Sequence, residues 1–198
     1  SVMVVALVIS HTVARFVTAR IHLNASMLFT HIVHMPAHFT QTHGCLGTTG
    51  LQSALLNAYD MVIAMNDEGY NCVFEDDARM HQNRRETAEA ALASPITDVL
   101  YLGDCGGFAC THAMCMTRKG ALLLRNITSI CLTNYGQGTD LFIAHACKRR
   151  RISCRLAGKW QADMRVSKTL RFRGPFYQDR VHTVSLLHTI NNEFVGKL

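Results

Sequence analysis

Between residues 2 and 156, short apolar runs alternate with segments of helical period, and this alternation limits the fold more than any other feature. The first run, residues 2–9, is continuous and rich in Val. A strand with no polar face must be covered on both sides, as happens in the middle of a parallel sheet. Similar strand-like runs follow at 27–35, 70–74, 98–102, 111–116 and 152–156. Between them lie stretches with apolar residues on one helical face: 12–24, 46–66, 83–94, 118–127 and 140–148. Asp67-Glu68-Gly69 stops one helix, and Pro95 breaks another. The expected architecture is α/β, a mainly parallel central sheet flanked by helices. The 198 residues suit one domain, 1–198, with a basic, irregular C-terminal part from about 158. No repeat or interdomain linker interrupts it. With 48% apolar and 17% charged residues, a disordered chain is excluded.

Twenty basic against fourteen acidic residues give a formal charge of +6, much of it in Lys148-Arg149-Arg150-Arg151 and between Arg165 and Arg180. Such an excess suits a phosphate-bearing ligand or an anionic surface. Few aromatics are interleaved with these runs, so a nucleic-acid interface is not expected. Lys148 to Arg151 reads as a solvated helix end. Eight cysteines are scattered through apolar runs. They read as reduced core thiols, which places the protein in the cytoplasm of a bacterium or of a virus-infected host. Cys105, Cys110, His112 and Cys115 are close enough to suggest zinc, but a strand pattern runs through them. The first apolar run is too short to span a membrane. Peripheral membrane association is compatible with the charge.

The chemistry concentrates at Val73-Phe74-Glu75-Asp76-Asp77-Ala78, a buried strand running into three acids. Open parallel sheets bind ligands at the carboxyl ends of their strands. Adjacent carboxylates repel one another unless a cation or hydrogen-bond donors compensate. A divalent cation shared with substrate phosphates is one solution. Glu75 and Asp77 leave the strand on the same side and could hold a metal and a ribose together. Spacing alone supports equally an acidic turn, or a helix start capped by Asp77.

Several landmarks, in order, resemble glycosyltransferase family 25, the lipopolysaccharide and collagen sugar transferases. These are His43-Gly44-Cys45-Leu46, the Val73 to Ala78 motif, and Asp98-Val99-Leu100-Tyr101-Leu102-Gly103. They continue with Thr111-His112-Ala113, then Thr117-Arg118-Lys119-Gly120-Ala121, Asp140 in its helix, and Phe176-Tyr177-Gln178-Asp179. Where the family carries a Ser-His pair after Gly-Cys, this chain has Thr48-Thr49, and it inserts Asp104-Cys105-Gly106-Gly107 after Gly103. The resemblance implies a GT-A-type nucleotide-sugar fold and a divalent metal, manganese in most relatives. It implies a hexosyltransferase that moves a sugar from a nucleotide-sugar donor, UDP-linked, to a hydroxyl of a glycan or protein acceptor with inversion. Asp140 is then the catalytic base. Asp77 and Glu75 are metal ligands, with His182 or His188 as a further one. Glu75, Asp76, Arg15 and His112 contact the nucleotide sugar. The alternative is a catalytically inactive relative that keeps the fold for binding.

Overall fold

The computed structural model describes residues 4–37, 49–65, 69–81, 83–93, 96–104, 108, 110–131, 139–158 and 174–178. Its elements in chain order are β1 (Val5–Ser10), α1 (Val13–Ser26), β2 (His31–Pro36), α2 (Thr49–Met65), β3 (Asn71–Glu75) and β4 (Ala78–Met80). Then come α3 (Arg85–Ala93), β5 (Val99–Gly103), β6 (Ala113–Met116), α4 (Arg118–Cys131), α5 (Thr139–Lys148), β7 (Cys154–Leu156) and β8 (Phe176–Gln178).

Six strands form one sheet in the order β2-β1-β3-β6-β5-β7. β1 pairs in parallel with β2 and β3, and β5 with β7, while β6 runs antiparallel between β3 and β5. The sheet is therefore mainly parallel, as its apolar runs require. Pleating sends alternate side chains to two cores. Val5, Leu7 and Ile9 join Val73, Tyr101 and Met114 beneath α2, α4 and α5. Ala6, Val8, Phe74, Leu100 and Cys115 pack with Ala19 and Leu23 of α1 and Ala91 of α3. The sheet is covered on both faces, which explains why its central strands carry no polar alternation.

The expected strand at 27–35 begins later. Met27 closes α1 in the left-handed region (φ 53°), its N–H bonding the Asn24 carbonyl, and β2 starts only at His31. β4 and β8 were not expected. They form a separate two-stranded ribbon with Ala78 opposite Gln178 and Met80 opposite Phe176. Phe176 is fully buried against Phe74, ring centroids 5.1 Å apart. The preceding Gly174 has φ +95°, and a Cβ there would meet the Leu102 carbonyl, so this approach requires glycine.

The reading of the cysteines as reduced thiols is corrected. Cys72 and Cys115, opposite each other in the β3–β6 ladder, form a disulfide, and so do Cys147 and Cys154. Cys110 is disulfide-bonded as well. With Cys110 and Cys115 so engaged, the zinc reading fails. Sequence spacing did not reveal that strand pairing sets Cys72 beside a residue 43 positions away. Disulfides persist in oxidising surroundings, so the cytoplasmic placement loses the support that reduced thiols lent it. Lys148, Arg149, Arg150 and Arg151 are exposed at the end of α5, as expected of a solvated helix terminus. No described helix is long and apolar enough to cross a membrane.

Candidate active site

β1 and β3 run parallel with Ile9 opposite Glu75, so their carboxyl ends open at the same edge of the sheet. After Glu75 the chain turns through Asp76 and Asp77 and returns as β4. The acid cluster is thus a turn, and it also lies where a parallel sheet binds ligands. α1 begins beside it. Thr12 caps that helix by accepting the Arg15 N–H at 3.2 Å, and Arg15 Nη2 then reaches Asp76 Oδ1 at 2.5 Å. Arg79 of β4 is buried and donates from Nη1 to the carbonyls of Asp76 and Ala78, both at 2.9 Å, which staples the turn.

Glu75 is held from three sides. Its N–H donates to the His112 carbonyl at 3.0 Å. Its Oε1 accepts from the Thr111 hydroxyl at 2.7 Å, and its Oε2 accepts from Gln178 Nε2 at 3.3 Å. Gln178 also hydrogen-bonds the Asp77 carboxylate. A cleft of about 200 Å³ opens against these groups, lined by Leu51, Glu75, Cys110, Thr111, Thr139, Asp140 and Gln178. Asp140 stands in the first turn of α5, where its Oδ1 accepts the Leu141 N–H at 2.9 Å. The fold therefore brings Glu75 and Asp140, far apart in sequence, to the wall of one cleft.

The carboxylates are crowded, Asp76 and Asp77 buried and Glu75 half-buried at the cleft wall. Burial, then the neighbouring Asp77 charge, pushes Glu75 up to about 8, against the Thr111 hydrogen bond that pulls it down. Burial, then Asp76, pushes Asp77 up to about 6, opposed by Gln178, Arg15 and Arg79. Burial also raises Asp76, and Arg15, His11 and Arg79 oppose the rise. Asp76 Oδ2 and Asp77 Oδ1 are buried without a hydrogen-bond partner. Such atoms carry a desolvation cost that a cation or a substrate donor would remove. Among the described residues no group of three or more His, Cys, Asp or Glu side chains is gathered to hold a metal. The donor set nevertheless suits a hard divalent cation, because magnesium-like ions commonly take one or two carboxylates and complete their shell with phosphate oxygens and water.

These raised values predict a pH dependence of stability. Glu75 and Asp77 keep protons in the fold that the unfolded chain releases near pH 4. The folded chain therefore binds more protons between about pH 4 and pH 8, and stability falls as pH rises through that window. The loss is on the order of a few kcal/mol. The melting temperature of the metal-free protein should drop from pH 5 to pH 8, and Glu75→Gln should flatten the curve. A melting temperature that climbs over the same range contradicts this.

Of the residues expected at the site, Glu75, Asp76, Asp77 and Arg15 form one cluster, and Asp140 lines the same cleft as Glu75. His112 is fully buried, its ring against Gly103 so closely that a Cβ on that glycine would overlap it. Its neighbour Thr111 lines the cleft instead. His182 and His188, Thr48 and the Gly44-Cys45 segment lie outside the described residues. Sequence reasoning gave no role to Thr111, Arg79 or Gln178. Thr111 and Gln178 lay within matched motifs, and the signal missed was that neutral donors are needed to hold crowded acids.

No protein-family model matches the chain, and no curated protein matches it in sequence. Among solved structures it is similar to a glycosyltransferase involved in the glycosylation of the major capsid of PBCV-1. The identity is 6%, the match covers 78% of this chain and 81% of that one, and the TM-score is 0.50. It is also matched, at 9% identity over 79% of this chain and 85% of the other with a TM-score of 0.45, by the inositol-1-phosphate CTP transferase from T. maritima. The first likeness shows the fold: a mixed α/β structure with a mainly parallel central sheet, as in a glycosyltransferase.

Proposed function

We propose that the protein is a glycosyltransferase of the family 25 type, moving a hexose from a nucleotide diphosphate sugar to a hydroxyl of a glycan or protein acceptor. The observation that carries this reading is the meeting of Glu75 and Asp140 on one cleft beside the Asp76–Asp77 turn. Asp77, with Glu75 beside it, would hold a divalent cation, manganese by resemblance. Bound there, that cation supplies positive charge to the diphosphate leaving group.

The chain's own residues do the rest. Arg15 holds Asp76 toward the edge where a ribose would lie and adds positive charge beside the diphosphate. Arg79 keeps the turn closed. Asp140 takes the proton of the acceptor hydroxyl as that oxygen attacks the anomeric carbon from the face opposite the departing nucleotide, giving inversion.

The test is turnover of a panel of nucleotide sugars with and without manganese, Asp77→Ala serving as control. Removal of the cation, or of Asp77, should lower turnover at least a hundredfold. Absence of both turnover and nucleotide-sugar binding in the unmutated protein would sink the proposal.

A further inference from the structure

We infer that Gln178 is a positioning residue for the carboxylate site: its side-chain amide bridges Glu75 and Asp77, and this aims Asp77 Oδ1 at a divalent cation. The inference rests on the cation reading given above and deepens it.

A side-chain amide carries two N–H donors on one nitrogen. Here that nitrogen donates to Glu75 Oε2 at 3.3 Å, and the same side chain hydrogen-bonds Asp77. Two neighbouring acids that would otherwise repel are thus joined through a neutral group. The bridge also sorts the oxygens. Glu75 has both occupied, Oε1 by Thr111 and Oε2 by Gln178. Asp77 keeps Oδ1 without a hydrogen-bond partner. The buried oxygens left without a donor are therefore Asp77 Oδ1 and, in the same turn, Asp76 Oδ2, while the bridge fixes how Glu75 stands beside Asp77.

The position of Gln178 is built in from three directions. Its Cα pairs with Ala78, the residue after Asp77. Phe176, two residues earlier, is buried against Phe74, two residues before Asp76. Gly174 passes under the Leu102 carbonyl, where a side chain has no room. A C-terminal segment is thereby anchored in the core and delivers its amide to acids about a hundred residues upstream. Groups that orient ligands in this way are commonly worth 10–100-fold in metal affinity.

The experiment titrates the metal-free full chain with manganese(II), followed by the electron paramagnetic resonance of free ion, with and without UDP. Gln178→Leu removes both donors, and Gln178→Asn keeps them on a shorter arm. Phe176→Leu loosens the same ribbon without touching the acids. Gln178→Leu should weaken manganese binding by about tenfold or more, Gln178→Asn by less, and Phe176→Leu should lower the melting temperature while leaving the affinity near that of the unmutated chain. If Gln178→Leu does not fold, the comparison of Gln178→Asn with Phe176→Leu decides in the same sense. If Asp77→Ala abolishes binding but the Gln178 variants bind normally, the positioning role is overturned and the cation site stands. If the Gln178 and Phe176 variants weaken binding equally, Gln178 acts through ribbon stability alone, and the inference fails. If the unmutated chain binds no manganese even with UDP, the cation reading fails and takes the inference with it.

Discussion

Asp140→Asn should lower turnover by about 10²- to 10⁴-fold and leave the affinity for nucleotide sugar unchanged. The substitution keeps the size of the side chain and an oxygen to accept the Leu141 N–H, which Asp140 Oδ1 now takes at 2.9 Å. It removes only the ability to take up a proton. Asp140 lines the same cleft as Glu75 but stands on α5, outside the Asp76–Asp77 turn, so the groups proposed to hold the donor stay in place when it is replaced. Measured kcat and an independent dissociation constant separate the outcomes. A fall in kcat alone fits a base. Loss of donor binding would move Asp140 into the donor site, and unchanged turnover would remove it from the mechanism.

Gly120→Ala should destabilise the fold by about 3 kcal/mol or more, which corresponds to a melting temperature lower by about 6–12 °C. Gly120 lies in the first turn of α4, and a Cβ there would lie 2.7 Å from the carbonyl carbon of Asp98 and closer still to its oxygen. That oxygen cannot retreat, because it accepts the Thr117 N–H at 3.1 Å. The rest of Asp98 is also tied. Its Oδ2 accepts the Ser153 N–H at 2.9 Å, and its Oδ1 faces Lys119 Nζ at 3.0 Å. Thr117 caps the helix by accepting the Gly120 N–H at 3.0 Å. The comparison is Lys119→Ala, since the Lys119 side chain is 75% exposed and its ion pair is worth about 1 kcal/mol at most. Equal melting temperatures for the two variants would show that α4 shifts freely. The Gly in the matched Thr-Arg-x-Gly-Ala segment is therefore explained by packing, and the chemistry does not need it.

Much of this fold is legible in the amino-acid sequence. The short, mostly apolar runs at 70–74 and 98–102 read as strands, and they appear as β3 and β5. The helical period of 118–127 appears as α4, and that of 140–148 as α5. The acid cluster stands out because three carboxylates after a buried strand have few ordinary explanations. Of its readings, the turn is the one the structure shows, since β4 and not a helix follows Asp77, and that turn stands at the end of a strand of the parallel sheet.

What the sequence could not carry was partnership between distant residues. Periodicity is a local property: it states which face of an element is buried, and nothing about what lies against that face. The disulfide between Cys72 and Cys115 depends on β3 pairing antiparallel with β6. The Arg15–Asp76 ion pair depends on β1 and β3 ending at one edge. Short β8 carries too few residues for a pattern of its own, yet pairing with β4 makes it the element that sets Gln178 between Glu75 and Asp77. The sequence by itself determined that this chain folds as a two-faced α/β sheet with acids at a strand end. Only the tertiary structure decided which donors hold those acids and that Asp140 shares a cleft with Glu75, because hydrogen bonds and ion pairs act over a few ångströms in space, whatever the separation along the chain.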